Sequence, residues 1–377
     1  MFSHPKYSLM KITHTEIYGF SISMVPFAIA TGTMDYAQNV LIRIYTDEGL
    51  IGTGECSAFP MIVGETQGTC LAVGRDLAAI IKDKDPLQIQ QHLEDFDRYI
   101  AGNTTIKSAF DMALVDIAAQ ADNKPLFAYL GGQLKPITTD ITVGIGTAEQ
   151  MASQALTFKE NKAQIIKVKV GKDPKEDIRR IELIRAAIGP DIQIQLDANQ
   201  GWSLQAAKTA LGGMQALGLD IAFCEQPLPS YLDHEILALK AEVGIPIMAD
   251  ESCYHLRDVE KCHRAGFDYI NIKLAKSGGI TRGLEIASAA AAYAIPCMMG
   301  GMLESRVALT AMTHMVMASG NIRFFDMDTC LLGHLEDPVT RGVHIQDYRL
   351  SLPEPLLPGI GIQTDAAFLE KCDRWVV

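Results

Sequence analysis

Three acidic residues stand at the ends of three consecutive apolar segments, where a metal site could form. Asp197 closes IQIQLD, Glu225 lies in IAFCEQ, and Asp250 closes IPIMAD. If these segments are neighbouring parallel strands, the three carboxylates meet at one edge of the sheet. Oxygen ligands without histidine or cysteine favour Mg²⁺, with Mn²⁺ as a substitute. The alternative interpretation is that each acid caps the helix that follows its strand.

Lysines lie on both sides of these acids in the chain. Lys167 and Lys169 are two residues apart in IIKVKV and share one face of a strand, while Lys273 lies in YINIKL, four strands further on. Lys273 would therefore face the pair across the mouth of a closed sheet. A lysine close to other cations has a lowered pKa and can act as a base. Two opposed bases around a metal-held carboxylate suit proton exchange at an α-carbon.

Asp326 and Asp328 form a third feature, in the segment RFFDMD. In a strand their side chains would project from the same face, where like charges repel each other. Folding alone does not favour this arrangement, so the two acids need a partner. The structural alternative is an ion pair with a local arginine such as Arg323.

These residues need a scaffold that brings many strand ends to one rim. From about residue 139 the chain repeats a unit of apolar strand, turn and helix, with eight strand candidates: DITVGI, IIKVKV, IQIQLD, IAFCEQ, IPIMAD, YINIKL, IPCMMG and RFFDMD. Parallel neighbours need crossover helices, so eight such strands predict a barrel, whose carboxyl-terminal rim carries active sites. The predicted fold class is α/β, a modified TIM barrel of the (β/α)7β form.

The first part of the chain has a different pattern. HTEIYGFSISMVPF and QNVLIRIYTDEGLIGTGEC have the character of antiparallel strands, and the helical segment after them carries Ala109, Ala113 and Ala118, which suit close packing. We predict an N-terminal α+β capping domain over residues 1–135 and the barrel over residues 136–340. Residues 341–377 are predicted to return to the capping domain.

Composition narrows the class of protein. The chain has 377 residues, a formal net charge of −12, 48% hydrophobic residues and 21% charged residues. An acidic chain without a basic cluster is a poor binder of nucleic acid or anionic membranes. We find no apolar run long enough for a transmembrane helix and no signal-peptide pattern at the N-terminus. The eight cysteines include no CxxC pair, which predicts reduced thiols and a cytoplasmic protein.

The motifs KVKVGKD, LDANQGW, CEQPL, MADES and NIKLAKSGG resemble the strand-end motifs of the enolase superfamily, muconate-lactonizing subgroup. The resemblance extends over nearly the whole chain, including SAFDMALVDIAAQADNKPLFAYLGG. It implies a Lys or His base with Mg²⁺ stabilising an enediolate. The implied metal ligands are Asp197, Glu225 and Asp250, with Asn199 and Glu251 supporting them. The implied acid/base pair is Lys169 and Lys273. Lys167 is implied to contact the substrate carboxylate and to lower the pKa of Lys169. Lys276 is expected at a helix end or in a substrate loop and receives no role.

Within the subgroup, FDMD resembles the DxD motif of dipeptide epimerases, the group that contains L-Ala-D/L-Glu epimerase, and GGMLESRVALTAMTH is similar to that group too. The resemblance implies that Asp326 and Asp328 bind the ammonium of a dipeptide. It also implies that the site is lined by Thr142, Met299, Gly301 and Met302. The predicted function is Mg-dependent epimerisation at the α-carbon of the C-terminal residue, by proton transfer between two lysines.

Specificity is expected to come from the capping domain, in the stretches VPFAIATGTMD and SAFPMIVGET. Glutamate-selective relatives have an arginine in this region, whereas the matching place here is Gly32. The candidate specificity residues are Phe27, Ile29, Gly32, Met61 and Ile62. They predict small neutral or hydrophobic dipeptides as substrates. Relatives are often symmetric, so we expect a homo-oligomer.

Two other interpretations stay open on the sequence. The first is another member of the subgroup: an N-acylamino acid racemase, an o-succinylbenzoate synthase or a muconate cycloisomerase. These enzymes share the metal and the lysines, but Asp326 and Asp328 would repel an N-acyl or dicarboxylate substrate. The second is a barrel kept as a binding or structural protein, which the intact set of ligands and lysines disfavours.

Overall fold

The computed structural model describes residues 10–29 and 32–377 of the chain. Its first unit is an antiparallel sheet of three long strands, β1 (Ile12–Ile29), β2 (Gly32–Thr46) and β3 (Ile51–Ala58). The turn between β2 and β3 contains Gly49 at φ +79°, a left-handed conformation that favours glycine.

Five helices follow this sheet in the chain: α1 (Pro60–Val63), α2 (Gln67–Ile81), α3 (Ile89–Tyr99), α4 (Thr104–Ala121) and α5 (Leu126–Tyr129). Helices α2 and α4 pack against its strands. Helix α4 lies directly on β3. A Cβ added at Gly54 would stand 1.9 Å from the carbonyl oxygen of Ala109, and one at Gly52 would stand 2.0 Å from that of Ala113. The alanine face of α4 and these two glycines allow the close contact that the alanine pattern predicts.

After a short strand, β4 (Ile137–Thr138), the chain forms one sheet of eight strands. In spatial order, which is also chain order, they are β5 (Ile141–Val143), β6 (Ile165–Lys169), β7 (Gln193–Asp197), β8 (Ile221–Glu225), β9 (Ile247–Ala249), β10 (Tyr269–Ile272), β11 (Cys297–Gly300) and β12 (Ile322–Asp326). All neighbouring pairs are parallel. Each strand coincides with one of the eight predicted segments, so the predicted fold class is confirmed.

Helices connect successive strands on the outside of the sheet: α6 (Ala148–Glu160), α7 (Pro174–Ile188), α8 (Leu204–Ala216), α9 (Ile236–Lys240), α10 (Leu256–Ala265), α11 (Leu274–Ser277), α12 (Ile280–Ala292) and α13 (Arg306–Ala318). Asp173 accepts hydrogen bonds from the backbone N–H groups of Lys175 and Glu176, so it caps α7, and Pro174 begins that helix. The first and last strands meet at a seam, where the backbone N–H of Asp140 donates to the carbonyl of Phe325 at 3.0 Å.

The inside of the barrel has an apolar floor. Phe223, Met248, Met298 and Phe324 pack together there, on four different strands. Alternate residues of the same strands face outward into the main core against the helices. Because side chains alternate along a strand, the residues two positions beyond the floor also point inward, towards the carboxyl-terminal rim.

The last part of the chain contains β13 (Val339–Arg341), β14 (His344–Gln346), β15 (Arg349–Ser351), β16 (Gln363–Thr364), α14 (Ala366–Leu369) and β17 (Asp373–Val376). Strand β15 pairs with β4 below the barrel, and β17 pairs with β1 of the first sheet. A buried Glu55 on β3 accepts hydrogen bonds from the backbone of Ser305 and Ala308, which joins the first unit to the start of α13. Among the described residues, no helix combines the length and apolar character needed to cross a bilayer.

Candidate active site

The predicted ligands and bases are brought side by side by strand register. Lys169 on β6 pairs with Asp197 on β7, and Asp197 pairs with Glu225 on β8. Asp250 follows β9 directly, and Lys273 follows β10. Asp197, Glu225 and Asp250 are fully buried, at 0% exposure. They point into the barrel mouth rather than towards helices, so the helix-capping interpretation is wrong.

On one side of this cluster two lysines contact the carboxylates. Lys169 Nζ lies 2.5 Å from an oxygen of Asp197. Lys167 Nζ lies 3.1 Å from Asp197, 2.7 Å from Glu225 and 2.7 Å from Asp326. Lys167 therefore connects the three-acid cluster to the first acid of the FDMD segment.

On the opposite side Asp250 is held by two further lysines. Lys273 Nζ lies 3.0 Å from one carboxylate oxygen and Lys276 Nζ lies 2.5 Å from the other. Lys276 also donates to the carbonyl groups of Asp250 and Asn271. No role was predicted for Lys276, but it is buried in α11 and holds Asp250 in position.

The electrostatics of the lysines differ from the expectation of a lowered pKa. Burial favours the neutral amine, but the carboxylates of Asp250 and Glu225 outweigh it and raise the pKa of Lys273 above its ordinary value. The pKa of Lys167 is likewise raised, because Asp326, Glu225 and Asp197 outweigh burial. The expectation of a lowered pKa counted only the neighbouring cations, whereas each of these two lysines also contacts carboxylates.

The three predicted ligands have the chemistry that Mg²⁺ requires. Burial raises the pKa of Asp197, but Lys169 and Lys167 outweigh it and hold that pKa below the ordinary range. Lys273 and Lys276 outweigh burial in the same way and lower the pKa of Asp250. Burial and the charge of Asp197 raise the pKa of Glu225 to about 7. Three converging carboxylates that need such compensation from lysines match the preference of Mg²⁺ for charged oxygen ligands.

Asn199 and Glu251 lie beside these ligands, as predicted for supporting residues. The backbone N–H of Asn199 donates to Asp197 at 2.9 Å, and its side chain lines the mouth cavity. Neither carboxylate oxygen of Glu251 receives a hydrogen bond from the described residues. Burial and the charge of Asp250 raise the pKa of Glu251 to about 8.

The sequence reasoning missed Asn271, which orients a ligand. Its side-chain amide donates to Glu225 at 2.7 Å. A Cβ at Gly300 would stand 2.4 Å from the Asn271 oxygen, so the glycine leaves room for this amide. The signal was present in the sequence, since Asn271 stands two residues before Lys273 and must share its face of the strand.

The FDMD acids lie at the barrel seam. Asp326 ends β12 and receives a hydrogen bond from Lys167, while Asp328 receives one from the backbone N–H of Thr142 at 2.8 Å. Both acids are nearly fully buried and line the mouth cavity. Burial and the charge of Asp326 raise the pKa of Asp328 to about 7. Arg323 is exposed on the same strand, and the partner of Asp326 is Lys167.

The predicted residues surround a narrow cavity of about 50 Å³ at the mouth. Its polar walls include Lys169 and Lys273, and its apolar residues come partly from the capping unit. The apolar lining comprises Met34, Phe59, Ile62, Met302, Leu303 and Leu332. Thr142, Gly301 and Met302 line the cavity as predicted. The Glu304 carboxylate accepts a hydrogen bond from the backbone N–H of Met302.

Met299 does not fit the prediction that it lines the substrate site. It is fully buried in the main core between barrel and helices. The pleat of β11 explains the error, because Met298 packs on the barrel floor and Gly300 approaches Asn271 inside the barrel. Met299 therefore points the other way.

The predicted specificity residues of the capping unit differ in whether they line the cavity or are exposed. Ile62 lines the cavity, while Met61 is 45% exposed and lies beside Gly32, where an added Cβ would be 3.2 Å from the Met61 sulfur. The side chains of Phe27 and Ile29 lie outside the described part of the chain. The carbonyl of Ala28 accepts a hydrogen bond from Ile145, so this hairpin contacts the barrel rim.

Comparisons with known proteins agree with this architecture. Residues 13–131 match the mandelate racemase / muconate lactonizing enzyme N-terminal domain, and residues 150–368 match the enolase C-terminal domain-like family. The D-Ala-D/L-Ala epimerase of Cytophaga hutchinsonii is 40% identical over 360 residues, 94% of this chain and 97% of that protein. The N-succinyl-L-Arg/Lys racemase of Bacillus cereus is 33% identical over 372 residues, 96% of this chain and 98% of that protein.

A solved structure is also similar over its full length. The dipeptide epimerase from Cytophaga hutchinsonii, complexed with Mg and the dipeptide D-Ala-L-Val, has a TM-score of 0.94 and 38% identity, covering 97% of this chain and 100% of that one. The chain therefore belongs to the mandelate racemase/muconate lactonizing enzyme family of the enolase superfamily. The predicted superfamily and the predicted isomerase class are confirmed, because these relatives are named epimerases and racemases.

Proposed function

We propose that this protein is a Mg²⁺-dependent dipeptide epimerase that inverts the α-carbon of the C-terminal residue. The observation that carries the proposal is one cavity with a lysine on each side and a pair of buried acids at its end. Lys169, Lys273, Asp326 and Asp328 all line that cavity. The similarity to the D-Ala-D/L-Ala epimerase of Cytophaga hutchinsonii, and to the solved dipeptide epimerase structure from that organism, supports the same function.

Lys169 and Lys273 are placed to exchange protons with opposite faces of one carbon. They end β6 and follow β10, four strands apart around the barrel. In each direction one Nζ removes the α-proton and the other returns a proton from the opposite side. When Mg²⁺ is held by Asp197, Glu225 and Asp250, it supplies positive charge that stabilises the negative charge developing on the substrate carboxylate. Lys167 adds to that stabilisation from its position beside Glu225.

Asp326 and Asp328 would bind the substrate's ammonium and align the α-carbon with the lysines. Two carboxylates in a buried mouth attract a cation more strongly than they would in water. The same pair disfavours an N-acyl amino acid, which offers no positive charge to replace the solvation that the acids lose. This is the feature that separates the proposed function from that of the N-succinyl racemase relative.

The preferred side chain is proposed to be small and neutral or hydrophobic. The cavity is narrow, and its apolar residues offer no cation to a glutamate side chain. Bulkier residues would require Ile62, Met302 or Leu332 to move. The D-alanyl dipeptide named for the first relative agrees with a small substrate.

The cellular context is also proposed. The eight cysteines are all free, and six of them are buried, which suits a reducing compartment such as the cytoplasm. Mn²⁺ would substitute for Mg²⁺ because it accepts the same oxygen ligands. A homo-oligomer without nucleic-acid or membrane partners stays a prediction.

Comparing two substrates tests the function. In deuterated water with Mg²⁺, L-Ala-L-Ala is expected to incorporate deuterium and to epimerise, whereas N-acetyl-L-Ala should react at least about a hundredfold more slowly. Mass spectrometry and chiral chromatography measure both. Faster turnover of the N-acyl compound would favour the racemase interpretation instead.

Removing the metal is expected to stop the reaction. Treatment with EDTA should abolish α-proton exchange, and added Mg²⁺ should restore it. Asp250→Asn should raise the Mg²⁺ concentration for half-maximal activity by about tenfold or more, because a charged oxygen ligand is lost. Exchange at the normal rate in EDTA would contradict the metal assignment.

An arginine at position 32 is expected to shift specificity. Gly32→Arg should raise kcat/KM for L-Ala-L-Glu relative to L-Ala-L-Ala by about tenfold, because it brings a cation near the cavity. The nearest neighbour of a new Cβ is the flexible end of Met61, which can move. Gly32→Gln is the matched control of similar length without charge. An equal shift in both variants would show that bulk, not charge, causes the effect.

A further inference from the structure

Asp140 is a buried acid at the barrel seam that the proposed mechanism does not use. It immediately precedes β5 and is 0% exposed. Its backbone is fixed, because its N–H donates to Phe325 across the seam. Of the described residues, none donates a hydrogen bond to either oxygen of its side chain.

Its side chain faces the two acids of the ammonium site. One carboxylate oxygen from each of Asp140, Asp326 and Asp328 lies within 4.8 Å of the other two. We call these three residues the seam trio. Three acceptors around an ammonium nitrogen, each at hydrogen-bond distance, would be about 4.6 Å apart in tetrahedral geometry. The trio therefore has the spacing of a site built around one small cation.

The other charged groups near the trio do not satisfy Asp140. Lys167 donates to Asp326, and its remaining contacts go to Asp197 and Glu225. Glu225 adds further negative charge from β8, and Tyr348, on the turn between β14 and β15, lies near Asp328. Asp140 alone of the trio receives no hydrogen bond from the described part of the chain, and a buried carboxylate without one is costly, so a charge on Asp140 is disfavoured beside Asp326 and Asp328.

The energetics agree with this geometry. Burial, followed by the charges of Asp326 and Asp328, raises the pKa of Asp140 well above its ordinary value. The pKa of Asp328 is raised too, by burial and the charge of Asp326, so Asp140 lies beside a second acid whose charge is disfavoured. A cation placed against Asp326 and Asp328 would offset their charge and make ionisation of Asp140 favourable.

We propose that Asp140 is a positioning residue of the ammonium site, which carries a proton in the free protein and releases it when a substrate ammonium binds at Asp326 and Asp328. The inference rests on the proposed function. The O–H bond of the Asp140 carboxyl breaks, and the proton passes to the buffer. The new carboxylate then strengthens the hold of its two neighbours on the cation.

This coupling gives a defined pH dependence. Binding releases the Asp140 proton. The affinity for a dipeptide therefore rises with pH over the range in which Asp140 of the free protein is still protonated. Asp140→Asn fixes the neutral form with nearly the same shape. Its affinity should be about tenfold weaker than that of wild type near pH 8 and almost equal near pH 6, where Asp140 stays protonated in the wild-type complex.

The test uses the Mg²⁺-loaded protein and L-Ala-Gly, which has a free ammonium but no stereocentre at its C-terminal residue. Calorimetric titration in two buffers of different ionisation enthalpy gives the protons released per bound dipeptide. Wild type should release about one proton per bound dipeptide near neutral pH, and Asp140→Asn should release markedly fewer. Asp111→Asn is the matched control, since Asp111 is a buried acid on α4 with its pKa raised to about 6 by burial.

The outcomes are distinct. Equal proton release in wild type and Asp140→Asn, or none in wild type, overturns the inference. The absence of proton release in wild type is decisive by itself, even if Asp140→Asn does not fold. Lysine-dependent exchange of L-Ala-L-Ala is measured separately, so the dipeptide epimerase function can stand while the role of Asp140 fails. If L-Ala-Gly does not bind and L-Ala-L-Ala does not exchange, both fail together.

Discussion

Lys169→Ala is expected to abolish epimerisation of L-Ala-L-Ala, lowering kcat by about a thousandfold or more. The amine of Lys169 lines the cavity on one side, and Lys273 lines it on the other. Inversion needs a proton removed on one face and returned on the other, so neither lysine can replace its partner. Lys273→Ala should therefore have the same effect on the overall reaction.

Two further variants separate proton transfer from charge. Lys169→Arg keeps the positive charge beside Asp197 but has too high a pKa to act as a base, so it should be as inactive as the alanine variant. Lys172→Ala is the control, because Lys172 is exposed just beyond the same strand and should leave the activity unchanged. Deuterium exchange from both stereoisomers at the wild-type rate in Lys169→Ala would contradict the assignment.

The second large effect is expected at the acid pair. Asp326→Asn and Asp328→Asn should each lower kcat/KM for L-Ala-L-Ala by about ten- to a hundredfold, because each removes a charge-assisted hydrogen bond to the ammonium. Most of the change should be in KM, since Lys169 and Lys273 make no ion pair with either acid. Asparagine keeps an acceptor for the Thr142 N–H, so the loop around Asp328 should keep its shape.

The substrate provides the control for this prediction. Activity on an N-acetylated compound, which has no ammonium, should not fall in either variant and should rise if repulsion limits it. Asp373→Asn, at an exposed position on β17, should change neither activity. An equal loss for free and acetylated substrates would mean that the acids stabilise the barrel and do not recognise the amine.

The rim of the barrel could be predicted from sequence because each strand there follows one rule. A buried strand is apolar until the chain reaches the carboxyl-terminal edge, so Asp197, Glu225 and Lys273 stand out as charges at strand ends. Parallel connections of similar length then order these ends around a circle. The same rule gave the eight strands and the placement of Asp326.

Asp140 could not be found in this way. It stands at the start of the first strand, where a linear view places it on the opposite side of the barrel from the strand ends. Strands in a closed barrel are tilted and staggered, so the beginning of β5 meets the end of β12. The hydrogen bond from Asp140 to Phe325 shows this stagger directly.

Side-chain direction caused the remaining errors. Met299 was assigned to the substrate site by resemblance, but the pleat turns it outward into the core. Lys276 was expected at a helix end or in a substrate loop and received no role. It is buried here because α11 turns back over the Asp250 carboxylate.

The most direct test of the central claim is the position of the label after exchange. L-Ala-L-Ala is incubated with the protein and Mg²⁺ in deuterated water, and tandem mass spectrometry locates the deuterium. The proposed function predicts deuterium only at the α-carbon of the C-terminal alanine, together with formation of L-Ala-D-Ala. In Lys273→Ala, L-Ala-D-Ala should no longer form, because inversion needs both lysines. Deuterium at the N-terminal residue, or no exchange with any dipeptide of small neutral residues, would contradict it.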